Sequence, residues 1–125
     1  MERVSKVRNC HIACAVLSLA VAFVIVDTAK AQSGSAVNGQ KIFLEKCEKC
    51  HGKDGSGNTS SGKALKAADL RSDDVQKKGD ADFYAQIDKG KKNMPPFGAG
   101  LNKTQINDVI AYVRELGKKQ SEAKK

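Results

Sequence analysis

The residues best equipped for chemistry sit together at Cys47-Glu48-Lys49-Cys50-His51. Two cysteines three positions apart fall on one face of a helical turn, where two thiols can add to the vinyl groups of neighbouring haem pyrroles. The imidazole that follows at once is a good donor to haem iron. Read as C-x-x-C-H, the pentapeptide is the attachment signature of a c-type haem. Other readings of the same residues are weaker. A redox dithiol goes with a strand and helix pattern that does not flank this motif. A structural zinc needs four ligands, and the chain without its leader offers three of the Cys and His type. A structural disulfide would leave the adjacent His51 without a role.

A further donor stands downstream, in Asn93-Met94-Pro95-Pro96-Phe97. Pro95 pushes Met94 out of the helical region, so its thioether is presented from a stiff, extended loop. A lone methionine is usually core filler. Here Met94 is the only methionine, and His51 the only histidine, beyond the leader, so two histidines of one chain cannot share the iron. The sixth position therefore goes to Met94, goes to a poorer donor such as a lysine, or stays open. Leu65, Leu70 and Phe97 are candidate wall residues for the haem. Arg71 reads as a partner for a propionate or, more simply, as a solvated side chain.

The elements that must position these groups are all helical. Val37, Ile42, Phe43 and Leu44 supply apolar positions for a helix over 37–50, with Glu45 and Lys49 as an i, i+4 pair and Gly52 as its terminator. Gly39 inside it costs about 1 kcal/mol relative to alanine and marks a close approach of another helix. The glycine-rich stretch 52–62 predicts a chain reversal. It is not a phosphate loop, because no strand precedes it and no Gly-Lys-Ser/Thr closes it. A short helix is expected over 63–69 and a clear one over 80–89, with Asp80 as N-cap, Phe83, Tyr84 and Ile87 on its apolar face, and Gly90 as its stop. Lys89, Lys91 and Lys92 gather at the end that suits the helix dipole. The last helix is predicted over 103–117, with Thr104 as N-cap and an apolar stripe of Ile106, Val109, Ile110, Val113 and Leu116 flanked by Tyr112. Residues 118–125 read as a charged, disordered tail.

The start of the chain reads as a secretory signal. Arg3, Lys6 and Arg8 precede an apolar run from Ile12 to Val26, and Ala29-Lys30-Ala31 is a small-x-small cleavage site. The run of about 15 residues is short for a membrane span, so cleavage after Ala31 is expected rather than an anchor. The expected organisation is a signal over 1–31, a flexible linker over 32–36, one domain over 37–117 and the tail. Export fits the cysteine chemistry, and the compartment read from it is periplasmic, with an extracellular site or a thylakoid lumen as variants. A processed chain of 94 residues makes one domain with a marginal core, which a large covalently held cofactor would fill. The signal carries Arg3, Lys6, Arg8 and Lys30 against Glu2 and Asp27, so its removal takes the net charge from +8 to +6. No nucleic-acid motif or aromatic stacking pattern accompanies the lysines. Lys46, Lys49, Lys53, Lys91 and Lys92 are candidates for docking on acidic surfaces of redox partners, whether oxidase, reductase or dehydrogenase.

Taken together, Gly39-x-x-x-Phe43-x-x-x-Cys47-x-x-Cys50-His51-Gly52, then Met94-Pro95-x-Phe97, then Leu101 and Tyr112-Val113-Arg114-x-Leu116, resemble the small monohaem class I cytochromes c. The resemblance covers nearly the whole processed chain. It implies an all-α fold around one covalent haem c, with first and last helices crossing where Gly39 and Tyr112 match the family's small and aromatic positions. It implies thioethers from Cys47 and Cys50, His51 as proximal iron ligand and Met94 as distal ligand, a pairing that raises the reduction potential over two histidines. It implies a soluble, monomeric electron shuttle of a respiratory or photosynthetic chain, without permanent membrane insertion, and not an enzyme. The alternatives are an open-site sensor or peroxidase if Met94 does not ligate, and a fixed haem subunit of a larger complex. One departure is the missing proline after the attachment motif, whose carbonyl accepts the proximal imidazole N–H in some members; Pro95 is the first proline of this chain.

Overall fold

Gly39 has no side chain because a backbone carbonyl occupies its place. The computed structural model describes residues 34–125, and the expected signal over 1–31 lies outside the described residues. Helix α1 (Ala36–Lys46) crosses the long C-terminal helix α6 (Lys103–Ala123). A Cβ on Gly39 would overlap the carbonyl of Asp108. One turn on, Phe43 meets Tyr112 edge to face, with ring centroids 5.2 Å apart and planes at 60°. Phe43 and Ile106 are fully buried at the centre of the core, which Val109, Ile110, Val113 and Leu116 extend along α6.

Between these two helices lie α2 (Glu48–His51), α3 (Ser60–Leu65), α4 (Asp73–Gln76) and α5 (Asp80–Lys89). The helix predicted over 37–50 is interrupted at Cys47, which ends α1 and opens the single turn α2. Gly52, at φ 74°, stops α2; a side chain would resist that conformation. Helix α3 begins earlier than expected because Thr59 caps it, its hydroxyl accepting the Gly62 N–H at 2.8 Å. Helix α4 has no counterpart among the elements the sequence predicts. It is four residues long, too short for a periodic signal, yet it puts Val75 into the core. Among the described residues there is no strand, only one isolated antiparallel bridge between Lys91 and Met94.

Several boundaries differ from the sequence reading, each for a local reason. Gly34 to Ala36, expected to belong to a flexible linker, are tied down: the Ser35 N–H donates to Asp108 Oδ1 at 2.6 Å, and Ser35 caps α1. Gly79 rather than Asp80 caps α5, its N–H donating to Asp82 Oδ2 at 3.2 Å. Asn102 rather than Thr104 caps α6, in a reciprocal box with Gln105 at 2.9 and 3.0 Å. Helix α6 runs to Ala123, so most of the segment expected as a disordered tail is helical. Gly117 is not its stop but a buried close contact with the Gln76 side chain. Around it, Glu115 with Lys119 stands at i, i+4 spacing in the favourable order, and Lys118 with Glu122 at the same spacing in the reverse order.

Candidate haem site

The attachment motif occupies a turn closed by its own N–H groups and, at His51, by the loop that follows. The Cys47 carbonyl accepts the N–H groups of Cys50 at 3.2 Å and His51 at 3.0 Å, and the His51 carbonyl accepts the Gly57 N–H at 2.7 Å. Cys47 and Cys50 are free, half-buried thiols. Burial pushes the Cys47 thiol up to about 11, with Lys46 pulling it partly back, so it is neutral at physiological pH. His51 is half-buried, and its Nδ1 lies 3.2 Å from the Ala68 carbonyl. A carbonyl can only accept, so this contact assigns the proton to Nδ1 and leaves the Nε2 lone pair uncommitted. Burial lowers the pKa of His51, opposed in part by Ala68, and favours the neutral imidazole that metals bind.

Met94 is half-buried at the end of a tight turn, its N–H donating to the Lys91 carbonyl at 3.0 Å and its carbonyl accepting the Lys91 N–H at 3.1 Å. The loop hangs from the end of α5: the Phe97 N–H donates to the Ile87 carbonyl at 2.9 Å and the Gly98 N–H to Asp88 at 3.0 Å. Gln86 Nε2 stands 3.6 Å from the Met94 sulfur. Cys47, Leu70, Met94 and Phe97 all pack against the one apolar core. Leu65 does not join them and is 42% exposed. Among the described residues no three His, Cys, Asp or Glu side chains converge as a metal cage. The donors instead suit a flat apolar group that brings its own metal: two half-buried thiols on one turn, an imidazole with one nitrogen engaged, and a thioether on an apolar wall.

The cytochrome c oxidase, cbb3-type, subunit III family matches residues 34–113. The cytochrome c6 of Nostoc sp. is 36% identical over 102 residues, spanning 82% of this chain and 87% of the relative. That of Thermosynechococcus vestitus is 35% identical over 105 residues, spanning 83% and 90%. Among solved structures, the KustC0563 c-type cytochrome superposes with a TM-score of 0.58 at 31% identity, covering 62% of this chain and 95% of that one. The chain is a monohaem class I c-type cytochrome. Its cofactor is haem c, covalently held, with iron as the metal.

For this cytochrome the structure also supplies what sequence reasoning missed. The acceptor for the His51 imidazole, which the missing proline left without a candidate, is the Ala68 carbonyl. No residue type signals it, because any backbone carbonyl would serve. Gln86 has no mark in the sequence, because a glutamine on a helix carries no chemical signature. Arg71 is engaged by two carboxylates rather than left to solvent alone. It is bidentate on Asp69, with Nε and Nη2 each at 2.9 Å, and it reaches Asp54 at 3.1 Å. The five lysines expected to dock a partner differ in their surroundings. All five are exposed; Lys46 pairs with Glu45 at 3.0 Å and Lys53 approaches Glu48 at 3.9 Å, whereas Lys49, Lys91 and Lys92 form no ion pair among the described residues, the last two on the turn that carries Met94.

Proposed function

We propose that this c-type cytochrome is a soluble one-electron carrier in which Cys47 and Cys50 form the thioethers, His51 is the proximal iron ligand and Met94 the distal one. The observation that carries this reading is the contact of His51 Nδ1 with Ala68, because it presents Nε2 as a neutral donor beside the two thiols. When bound, the haem supplies a ferric/ferrous couple that needs no substrate bond to break. The chain's part is to hold the donors still. Ala68 orients the imidazole and raises its basicity, the bridge between Lys91 and Met94 stiffens the thioether loop, and Leu70 and Phe97 keep water from the ring. A ligand set that does not change between oxidation states keeps reorganisation small. Lys91 and Lys92 provide the charge that steers an acidic partner to the Met94 side, in a transient encounter that weakens with salt.

The compartment we propose is the periplasm, after cleavage behind Ala31. A second reading is supported by the description of the matched family, an oxidase subunit: a fixed haem subunit of a larger complex. The shuttle is favoured because the cytochromes c6 match over most of their own length. Absorption spectra of the holo-protein in both oxidation states test the ligand set. The expected result is a weak far-red ferric band from sulfur-to-iron charge transfer, lost in Met94→Ala. A high-spin ferric spectrum with rapid carbon monoxide binding to the ferrous form would replace the carrier with an open-site sensor or peroxidase.

A further inference from the structure

Two side chains clamp α3 between the attachment turn and the methionine loop. At its start, Thr59 Oγ1 shares its one proton between the carbonyls of Lys49 at 2.8 Å and Cys50 at 3.1 Å while accepting the Gly62 N–H at 2.8 Å. The packing there is tight enough that a Cβ on Gly62 would overlap the Cys50 carbonyl. At its end, Lys66 turns left-handed at φ 55°, which stops the helix. That stop leaves the Leu65 carbonyl without an intrahelical partner. Asn93 Nδ2, 28 residues further on, supplies the donor at 3.0 Å. Asn93 directly precedes Met94 and lies inside the tight turn closed by Lys91 and Met94. A six-residue helix about 9 Å long is thus hydrogen-bonded at one end to the carbonyl of a thioether cysteine and at the other to the neighbour of Met94.

We infer that α3 is a strut that fixes the Met94 loop relative to the attachment turn, with Thr59 and Asn93 as positioning residues that hold the thioether in place. The inference rests on the reading of Met94 as distal ligand. A helix is stiff along its axis, so its two pins act in series. Releasing either one frees the loop to swing, and releasing the second adds little. Neither pin is a member of the apolar core cluster, so their effect falls on the loop rather than on the fold.

The test is the displacement of Met94 from the ferric holo-protein by added imidazole, followed by loss of the far-red band. Asn93→Asp removes the donor at constant shape, and Thr59→Val removes the hydroxyl at constant volume. Each is expected to tighten imidazole binding about two- to tenfold, the size of one net hydrogen bond. The double variant is expected to match the larger single effect, and Thr59→Ser to restore wild-type binding. Lys63→Gln on the exposed side of α3 serves as the control and is expected to leave binding unchanged. Unchanged imidazole affinity in both single variants would overturn the strut, as would effects that simply add in the double variant. A wild-type protein with no far-red band would overturn the ligand assignment itself, an outcome separate from failure of the strut.

Discussion

At the scale of single residues, Arg71 and Arg114 act as clamps. Arg71 gathers Asp69 and Asp54, and Arg114 donates to the carbonyls of Gln76 and Lys78, both at 2.6 Å, and to Asp80 while lying 4.6 Å over the Phe83 ring. The first clamp has a pH signature. The Arg71 guanidinium is the main cause holding the Asp69 carboxyl below its ordinary range, with burial opposing. Asp54 is held down chiefly by the N–H and hydroxyl of Ser56, with Arg71 adding. A carboxyl depressed in the folded state contributes stability that is fully present above its unfolded value of about 4 and is lost as pH falls through the lower folded value. The urea midpoint should therefore drop on acidification below about pH 4, and Asp69→Asn should flatten that drop. Parallel curves for wild type and variant would remove Asp69 as a contributor. The same residue-level view accounts for Arg71: its sequence neighbour Asp69 was in plain sight, but only the folded loop brings Asp54, 17 positions away, to the same guanidinium.

At the scale of elements, the crossing of α1 and α6 organises the rest. The apolar stripe of α6 was legible because buried positions recur at three and four residues over its length. The close approach at Gly39 was legible because glycine inside a helix is otherwise costly. The break at Cys47 was not, because φ −114° and ψ −29° remain within the helical region and no residue type marks it. Gly39→Ala tests the crossing directly. The added methyl meets the Asp108 backbone, not a flexible side-chain tip, so the helices must part. The expected cost is about 1–3 kcal/mol, typical of overpacking, read as a lowered urea midpoint at unchanged haem content. A midpoint equal to wild type would mean the crossing yields without strain.

At the scale of the whole molecule, a small helical domain presents a basic surface that is not uniform. Carboxylates on α1 and α2 offset Lys46 and Lys53, while Lys91 and Lys92, on the turn bearing Met94, form no ion pair among the described residues. Neutralising Lys91 and Lys92 together should slow association with an acidic redox partner at low ionic strength by several-fold and lessen its salt dependence. Neutralising Lys46 and Lys53 should do less. Stopped-flow electron transfer at two salt concentrations distinguishes the two faces, and equal slowing by both pairs would show that only net charge matters.

The sequence by itself determined the all-helical class, the thiols and imidazole of Cys47, Cys50 and His51, and the candidate thioether of Met94. Each of these is written in residue type and short-range spacing, and short-range spacing is what a helix preserves. The tertiary structure decided which groups surround them. The Ala68 carbonyl reaches His51 from 17 residues away, Asn93 reaches Leu65 from 28, and Arg114 reaches Gln76 from 38. It also decided that α6 continues past a glycine and that α4 exists at all. These outcomes depend on the path of the connecting loops and on backbone carbonyls that look alike in every residue, so they enter only when the chain closes on its core.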